Sequence, residues 1–359
     1  MRIEHDTCLV TGGAGFIGCA ISSGLADRFA RVVAYDMLLP QVHPSGQRPE
    51  ALDERVELIV GDVRDSAAVG RLVDDVRPGT VIHLAAETGT GQSLTDATLH
   101  TSTNVVGTSQ LLDAFTRADA TPERLILASS RAVYGEGAWR DRSTGEVVYP
   151  GQRSLTQLQH QQWDFDGCDP LPMRAGTTQP QPVSVYGVTK LTQEMLLTTW
   201  AKSFDVPVAM VRLQNVYGPG QSLSNPYTGI MSLFCRLARQ GQAIPVYEDG
   251  LIRRDFVLID DVAAALLSVV DHEAANGLVL DIGAGEFQTI LKAAQSIAAY
   301  YNAPEPVITG QYRLGDVRHA WADVTQASEV LGWKAEWSLD DGVGRLADWI
   351  EHQPVVPRA

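Results

Sequence analysis

Short apolar runs alternate along the chain with segments of helical character. The apolar runs, which are typical of buried strands, lie at 7–10, 31–35, 56–60, 80–86, 124–130 and 206–213. Helical segments follow them at about 16–29, 67–76, 97–118 and 191–202. Because strands that alternate with helices form parallel sheets covered on both faces, the pattern predicts an α/β fold with a doubly wound parallel sheet.

The pattern changes after position 217, where the elements become shorter. They are predicted as a helix at 230–239, a strand at 252–257, a helix at 260–270, a strand at 277–283 and a helix from 289. We therefore expect a larger domain, 1–217 with 252–272, and a smaller α/β C-terminal domain, 218–251 with 273–359. The segment 135–182 has little periodicity and is predicted to be a long loop, either a functional lid or partly disordered.

A glycine-rich turn connects the first strand to the first helix. Gly12, Gly15 and Gly18 are spaced three residues apart around Phe16 and Ile17. Glycines let the backbone turn tightly and approach a pyrophosphate, and the helix N-terminus offers free N–H groups to the anion. The turn therefore predicts a Rossmann-type dinucleotide site.

An acidic residue, Asp36, ends the second strand about 20 residues after the glycines. Its carboxylate would accept hydrogen bonds from the adenosine ribose hydroxyls and repel a 2′-phosphate, so NAD is expected in preference to NADP. Leu84, Ala85 and Ala86 end a later strand, where a cofactor could lie close to small side chains. His83, just before them, is expected to be a core histidine.

The helical segment near 190 carries two residues that could act together as a general base. Tyr186 and Lys190 are four residues apart, a spacing that puts both on one face of a helix. A Lys ammonium near a phenol favours the phenolate, which would remove a proton from a substrate hydroxyl. Ser130 ends the fifth strand, and it either hydrogen-bonds a substrate oxygen or caps the strand.

Composition narrows the classes of partner. The 359 residues carry a formal net charge of −15, which argues against nucleic acid, because phosphate binding needs clustered Lys and Arg. The polar segment 1–6 has no signal-peptide pattern, and no apolar run approaches the roughly 20 residues that span a bilayer. A cytoplasmic protein without membrane contact is expected, with its four scattered cysteines as free thiols.

Arginines are concentrated in the smaller predicted domain of this acidic chain. Arg253 and Arg254 lie in the strand at 252–257, and Arg313 and Arg318 follow later. Since guanidinium groups suit phosphate oxygens, these residues indicate an anion site, unless they are surface side chains in solvent.

With these motifs in place, the chain resembles the extended short-chain dehydrogenases/reductases of the NAD-dependent sugar epimerase/dehydratase kind over nearly its whole length. The matching motifs are 11–18, 61–63, 83–86, 129–135, 186–190, 215–219, 254–256 and 313–316. The resemblance implies an NAD-dependent enzyme that acts on a nucleotide-diphosphate sugar. It also implies a homodimer formed through the helices near 97–118 and 187–203.

The resemblance also implies residue roles. Ser130, Tyr186 and Lys190 match the catalytic residues, and Asp62 and Val63 match the pair that holds adenine. Asn104 matches a polar residue near the active site that helps to order water and the lysine. The residues that hold the diphosphate are matched by Asn215, Arg254 and Arg313. The expected cofactor contacts are Gly12, Gly15, Phe16, Ile17, Gly18, Asp36, Asp62, Val63, Leu84, Ala85, Ala86, Asn104, Tyr186 and Lys190. The expected substrate contacts are Thr88, Ser130, Arg131, Asn215, Tyr227, Arg254 and Arg313.

The expected reaction is inversion at C4 of the sugar through a transient 4-keto intermediate. Dehydratases of the family carry Asp-Glu after the active-site hydroxyl residue, whereas this chain has Arg131 and Ala132, which disfavours dehydration. The stretches 83–93, 129–137 and 214–229 resemble epimerases that convert dTDP-L-rhamnose to dTDP-6-deoxy-L-talose, so a dTDP-6-deoxyhexose is the expected substrate. Many such relatives carry Cys-Pro-x-Cys-Gly in the long loop, where this chain keeps only Cys168. One thiolate cannot complete a four-ligand zinc site, so no metal is expected.

Three alternatives stay open. The first is a 4-epimerase of a UDP-hexose. The second is an NAD(P)H-dependent 4-ketoreductase of an NDP-4-keto-6-deoxy sugar, which would use the same three catalytic residues. The third is a non-catalytic protein that senses NAD.

Overall fold

The computed structural model describes residues 6–223 and 229–353. Its strands are β1 (Thr7–Thr11), β2 (Arg31–Asp36), β3 (Glu57–Val60), β4 (Thr80–His83), β5 (Arg124–Ser130), β6 (Trp139–Asp141), β7 (Val147–Val148), β8 (Cys168–Pro170), β9 (Val208–Leu213), β10 (Asn215–Tyr217), β11 (Pro245–Val246), β12 (Arg253–Arg254), β13 (Phe256–Leu258), β14 (Val279–Ile282), β15 (Gln288–Thr289), β16 (Val307–Ile308) and β17 (His319–Ala320). Its helices are α1 (Phe16–Ala26), α2 (Ser66–Val76), α3 (Ala97–His100), α4 (Gly107–Arg117), α5 (Leu155–Gln159), α6 (Val185–Phe204), α7 (Ile230–Arg239), α8 (Ile259–Asp271), α9 (Ile290–Tyr301), α10 (Thr325–Leu331) and α11 (Leu339–Glu351).

Seven parallel strands form the main sheet in the order β14-β9-β5-β4-β1-β2-β3. The chain runs outward from β1 to β3 and then returns to β4 on the other side of β1. In open sheets of this kind, ligands bind beyond the carboxyl ends of the strands where the order reverses. The Rossmann-type doubly wound fold predicted from the sequence is confirmed.

Helices bury apolar residues on both faces of this sheet. Ile21 of α1 and Leu266 of α8 belong to the cluster on one face. Val69 of α2, Phe115 of α4 and Leu197 of α6 belong to the cluster on the other. Burial on both faces explains why the strands appear in the sequence as nearly continuous apolar runs.

Strand pairing crosses the predicted division of the chain at β14, and also at β12, which lies in the 252–272 segment but pairs with β15 and β17. β14, which lies within the 273–359 segment assigned to the smaller domain, pairs with β9 and forms the edge of the main sheet. Its apolar run is buried like those of the other parallel strands, but nothing in the local sequence indicates which sheet it joins. A separate apolar cluster unites α7, α9 and α11 through Phe234, Ile297 and Leu346.

The segment predicted as a long loop, 135–182, is folded. It forms a three-stranded antiparallel sheet in the order β7-β6-β8, together with the short helix α5. Trp139 of β6 is fully buried, and so is Arg153, which contacts Glu248 at 2.9 Å. Strands of two or three residues are too short to show periodicity, which is why the pattern did not reveal them.

The predicted strand at 252–257 is divided at Asp255. β12 pairs with β15 and β17, whereas β13 pairs with β10. The buried Asp255 carboxylate accepts backbone N–H bonds from Ala284 (2.6 Å) and Ala322 (3.4 Å). Asp255 therefore links the small sheet to the loop that follows β14.

Three further observations concern the cysteines, possible metal ligands and possible membrane-spanning helices. Cys8, Cys19, Cys168 and Cys235 are free thiols, as predicted. Among residues 6–223 and 229–353, no group of three His, Cys, Asp or Glu side chains could hold a metal ion. Over the same ranges, no helix combines the length and apolar character that crossing a membrane requires.

Candidate active site

A cavity of about 760 Å³ opens beyond the carboxyl ends of β1, β4 and β5. One end is lined by the glycine turn and by the ends of β2, β3 and β4, and the other by residues of α7, β11, β12 and the segment near 313. Ser130, Tyr186 and Lys190 lie between the two ends. The cavity therefore joins the predicted dinucleotide site to the predicted anion site.

The glycine turn has the geometry that close approach to a phosphate requires. Gly12 has a φ of +68°, and a Cβ there would lie 2.7 Å from the Ala85 amide nitrogen. Gly15 caps α1 without any side-chain hydrogen bond, so the first N–H groups of the helix remain available to an anion. These features fit a dinucleotide diphosphate.

Acidic residues line the same end of the cavity. The Asp36 carboxylate accepts N–H bonds from Ala14 (3.1 Å) and Leu38 (2.9 Å), which fixes it beside the glycine turn. Asp62 is held by the guanidinium of Arg64. The predicted cofactor residues that line the cavity are Gly12, Gly15, Phe16, Ile17, Gly18, Asp36, Asp62, Val63, Leu84, Ala85, Ala86, Tyr186 and Lys190.

Asn104, the remaining predicted cofactor contact, is placed differently. It is fully buried, and it is not among the residues that line the cavity. Its Oδ1 accepts from the Glu87 amide (2.7 Å), and its Nδ2 donates to the Glu87 carbonyl (3.0 Å) and to Thr189 Oγ1 (2.9 Å). Because its amide is bonded to protein on both sides, Asn104 braces the loop after β4 against α6 instead of contacting the cavity.

Tyr186 lies in the first turn of α6, which begins just after Ser184. The Ser184 hydroxyl caps the helix by accepting the Gly187 N–H at 3.0 Å. The Tyr186 phenol and the Ser130 hydroxyl both line the cavity, and Ser130 Oγ accepts from the Ala132 amide at 3.2 Å. Burial raises the pKa of Tyr186, while the Ser130 hydroxyl and the charge of Arg131 act in the opposite direction.

Lys190 lies one turn further along α6 and is 2% exposed. Burial lowers its pKa to about 7, an effect that the Glu194 carboxylate partly opposes. Its Nζ donates to Gln193 Oε1. An amine with this pKa changes charge near neutral pH, and the predicted effect of Lys190 on the Tyr186 phenolate remains a prediction.

A buried polar chain extends from Lys190 into the core. Gln193 Nε2 donates to Thr108 Oγ1 (2.8 Å) and lies 3.2 Å from His83 Nε2, while His83 Nδ1 lies 2.6 Å from Thr11 Oγ1. Burial lowers the pKa of His83 to about 3, so it is a neutral core histidine. Gln193 was not among the predicted site residues, although its i, i+3 spacing from Lys190 places it on the same face of the helix.

The other end of the cavity contains the predicted substrate residues. Thr88, Ser130, Arg131, Asn215, Arg254 and Arg313 all line it. Arg313 lies over the ring of Tyr247, 5.2 Å from its centroid. Tyr227 lies outside the described residues. Tyr247 and Arg236 also line the cavity, although neither was predicted from the sequence.

Two of the arginines in the predicted anion group have other partners. Arg318 is fully buried, with ion pairs to Glu248 (2.9 Å) and Asp249 (2.7 Å). Arg253 lies over the ring of Phe287, 4.3 Å from its centroid. Neither is among the residues that line the cavity, so both stabilise the fold around it.

The family model described as "NAD dependent epimerase/dehydratase family" matches residues 8–154 and 165–283. The dTDP-L-rhamnose 4-epimerase of Burkholderia thailandensis is 54% identical over 351 residues, which covers 98% of this chain and 96% of that protein. The UDP-glucose 4-epimerase of Mycolicibacterium smegmatis is 27% identical, covering 96% of this chain and 98% of that protein.

Solved structures agree with these matches. The UDP-glucose 4-epimerase of Thermotoga maritima, solved with UDP-glucose, has a TM-score of 0.80 at 26% identity, covering 96% of this chain and 98% of that one. The UDP-glucose 4-epimerase of Thermus thermophilus, solved with NAD, has a TM-score of 0.75 at 26% identity, covering 96% and 99%. The extent of these matches, together with a cavity that begins at the glycine turn and Asp36, shows that the chain belongs to the NAD dependent epimerase/dehydratase family.

Proposed function

We propose that this protein is an NAD-dependent 4-epimerase of a nucleotide-diphosphate sugar, which interconverts dTDP-L-rhamnose and dTDP-6-deoxy-L-talose. The observation that carries the proposal is one cavity in which Ser130, Tyr186 and Lys190 lie between a dinucleotide site and a cationic pocket. The identity of 54% to the dTDP-L-rhamnose 4-epimerase of Burkholderia thailandensis supports the choice of sugar.

The side chains of the cavity account for the proton that the reaction moves. Bound NAD would supply the hydride chemistry at C4, accepting a hydride and later returning it. Tyr186, as the phenolate, takes the proton of the sugar O4 and later gives it back, while the Ser130 hydroxyl donates to the same oxygen. Lys190 in its charged form favours the phenolate. The proton and the hydride are both returned, so no reductant is consumed.

Inversion requires the 4-keto sugar to present its other face before the hydride returns. Asn215, Arg254 and Arg313 line the far end of the cavity, where they would hold the diphosphate. Holding the ligand at its diphosphate leaves the sugar free to turn about the bond that joins them. The positions that would hold a dehydratase Asp-Glu pair are Arg131 and Ala132, which leaves dehydration without its acid and base.

The test is incubation of the purified enzyme with dTDP-L-rhamnose and, separately, with UDP-galactose, followed by NMR. We expect a C4-inverted product from dTDP-L-rhamnose without added reductant. Inversion of UDP-galactose alone would identify a UDP-hexose epimerase instead. Consumption of NADH at 340 nm with a 4-keto sugar, without inversion of any nucleotide sugar, would identify a ketoreductase.

We also propose a homodimer formed through the helices near 97–118 and 187–203. Apolar side chains are exposed on and next to these helices: Leu94 (58%), Val106 (44%), Val188 (49%) and Met195 (64%). Light scattering should give twice the chain mass of 38.9 kDa, and Met195→Asp should shift the protein to the monomer. A monomeric wild-type protein would contradict this proposal.

The cell compartment is part of the same proposal. Four thiols without disulfides suit the reducing conditions of the cytoplasm, where we expect the protein to act. Cell fractionation with an antibody would test this expectation, and recovery from an oxidising compartment would contradict it.

A further inference from the structure

Arg254, the arginine expected to hold the diphosphate, is already bonded to the protein at both terminal nitrogens. Its Nη1 donates to the carbonyl oxygens of Arg253 (2.8 Å) and Arg318 (3.2 Å). Its Nη2 donates to Asp316 Oδ1 (3.1 Å) and to the Val317 carbonyl (2.6 Å). A guanidinium has five N–H donors, so only the Nε–H of Arg254 remains for a ligand.

Arg131 has the opposite distribution of bonds. Its Nε donates to Asn215 Oδ1 at 3.0 Å. Within the described parts of the chain, neither of its terminal nitrogens has a hydrogen-bond partner and no carboxylate forms an ion pair with it. Burial lowers the pKa of its guanidinium to about 10. Arg131 is partly buried and lines the cavity, so its four unused N–H donors are available to an anion there.

The position of Arg131 indicates which anion that is. It follows Ser130 directly, so it begins at the catalytic end of the cavity. Its Nε bond ties it to Asn215, which is expected to hold the diphosphate, and its charge interacts with Tyr186 and Arg254 as well as with the carboxylates of Asp316 and Glu136. Its free donors therefore lie between the base and the expected diphosphate anchor, where the phosphate next to the sugar would be.

We propose that Arg131 binds the sugar-side phosphate of the nucleotide-diphosphate sugar through its terminal N–H groups, with Asn215 holding its Nε. The proposal deepens the proposed function and rests on it. The planar fork of a guanidinium matches two oxygens of one phosphate, and the bond to Asn215 sets its direction. The phosphate held in this way is the one about which the 4-keto sugar turns.

The test compares the binding of dTDP and dTMP to the NAD-loaded enzyme by calorimetry. These two ligands differ only in the phosphate that Arg131 would hold. In Arg131→Met we expect dTDP binding to weaken tenfold or more, because charged hydrogen bonds are lost, and dTMP binding to change less than about threefold. Arg140→Met, which removes an exposed arginine, should leave the ratio of the two affinities unchanged.

Other results would overturn the proposal. An equal loss for dTDP and dTMP, or no loss for either, would show that Arg131 does not hold that phosphate. If Arg131→Met does not fold, Arg131→Gln keeps a polar side chain but removes the guanidinium charge, and an unchanged affinity ratio there would be equally negative. If the acidic limb of the kcat–pH profile moved to higher pH while the affinity ratio stayed unchanged, the role of Arg131 would instead be to lower the pKa of Tyr186.

These outcomes are separate from a failure of the proposed function. Binding of dTDP needs no turnover, so the affinity ratio can be measured even if the sugar is not the one proposed. UDP and UMP serve as a second pair of ligands. If wild-type enzyme bound none of the four, both proposals would fail, whereas an unchanged ratio in the variant would overturn the Arg131 assignment alone.

Discussion

Replacement of Tyr186 by Phe removes only the phenolic oxygen that we assign as the base. The ring keeps its edge contact with His100, whose centroid lies 6.4 Å away. Removal of one hydroxyl changes stability by no more than about 1 kcal/mol, the usual net contribution of a single hydrogen bond. The variant should therefore fold and still bind NAD.

The effect on the reaction should be much larger than the effect on stability. A positioned general base contributes about 10²–10⁴ in rate, which corresponds to roughly 2.7–5.4 kcal/mol of activation free energy. Because C4 oxidation and the return of hydride both need the proton on O4 to move, the loss should appear in kcat. The KM should change little, because the diphosphate contacts remain.

The assay is the rate of C4 inversion of the nucleotide sugar by NMR, with retained NAD measured after denaturation. Tyr300→Phe is the matched control, because Tyr300 is 40% exposed and its hydroxyl bonds to Asp348 on α11. The control should keep wild-type kcat. If Tyr186→Phe retained more than about a tenth of wild-type kcat with NAD bound, Tyr186 would not be the base.

Four further changes test other parts of the structure. Asp36→Ala should reduce the preference for NAD over NADP, measured by competitive binding, because no carboxylate would then repel a 2′-phosphate. Gln193→Leu should lower kcat about tenfold with little change in KM, because the Lys190 ammonium loses its acceptor. Unfolded His83 binds a proton below about pH 6.5, whereas folded His83, with a pKa of about 3, stays neutral. The free energy of unfolding measured by urea titration should therefore fall by about 2 kcal/mol from pH 7 to pH 5. The His83→Gln variant should lack this part of the fall. Arg153→Met should lower the free energy of unfolding by about 1.5–3 kcal/mol in the same titrations, because Glu248 loses one of its two buried arginine partners and keeps Arg318.

The sequence indicated the main sheet and the dinucleotide site because both leave local signals. Buried parallel strands need apolar runs. Position 12 needs glycine, because a Cβ there would lie 2.7 Å from the backbone nitrogen of Ala85. Asp36 could be identified because the end of β2 fixes its place beside the turn. In each case one requirement of the fold selects one residue type at one position.

The remaining features depend on contacts between distant parts of the chain. The sheet at 135–182 consists of strands of two or three residues and is held by Arg153, a residue type that usually indicates a surface. The placement of Asn104 beneath the cavity depends on its bonds to Glu87 and Thr189. The sequence shows neither that the terminal nitrogens of Arg254 are bonded to protein nor that those of Arg131 are unused, because both facts depend on the three-dimensional hydrogen bonds.

The central claim is that the protein oxidises and reduces the same C4 with a hydride that never leaves the active site. The most direct measurement uses dTDP-L-rhamnose that carries deuterium at C4, incubated without added NADH, with the product analysed by NMR and mass spectrometry. Our account predicts a C4-inverted product that keeps the deuterium at C4. Loss of the deuterium to solvent during inversion, or no inversion at all, would contradict it.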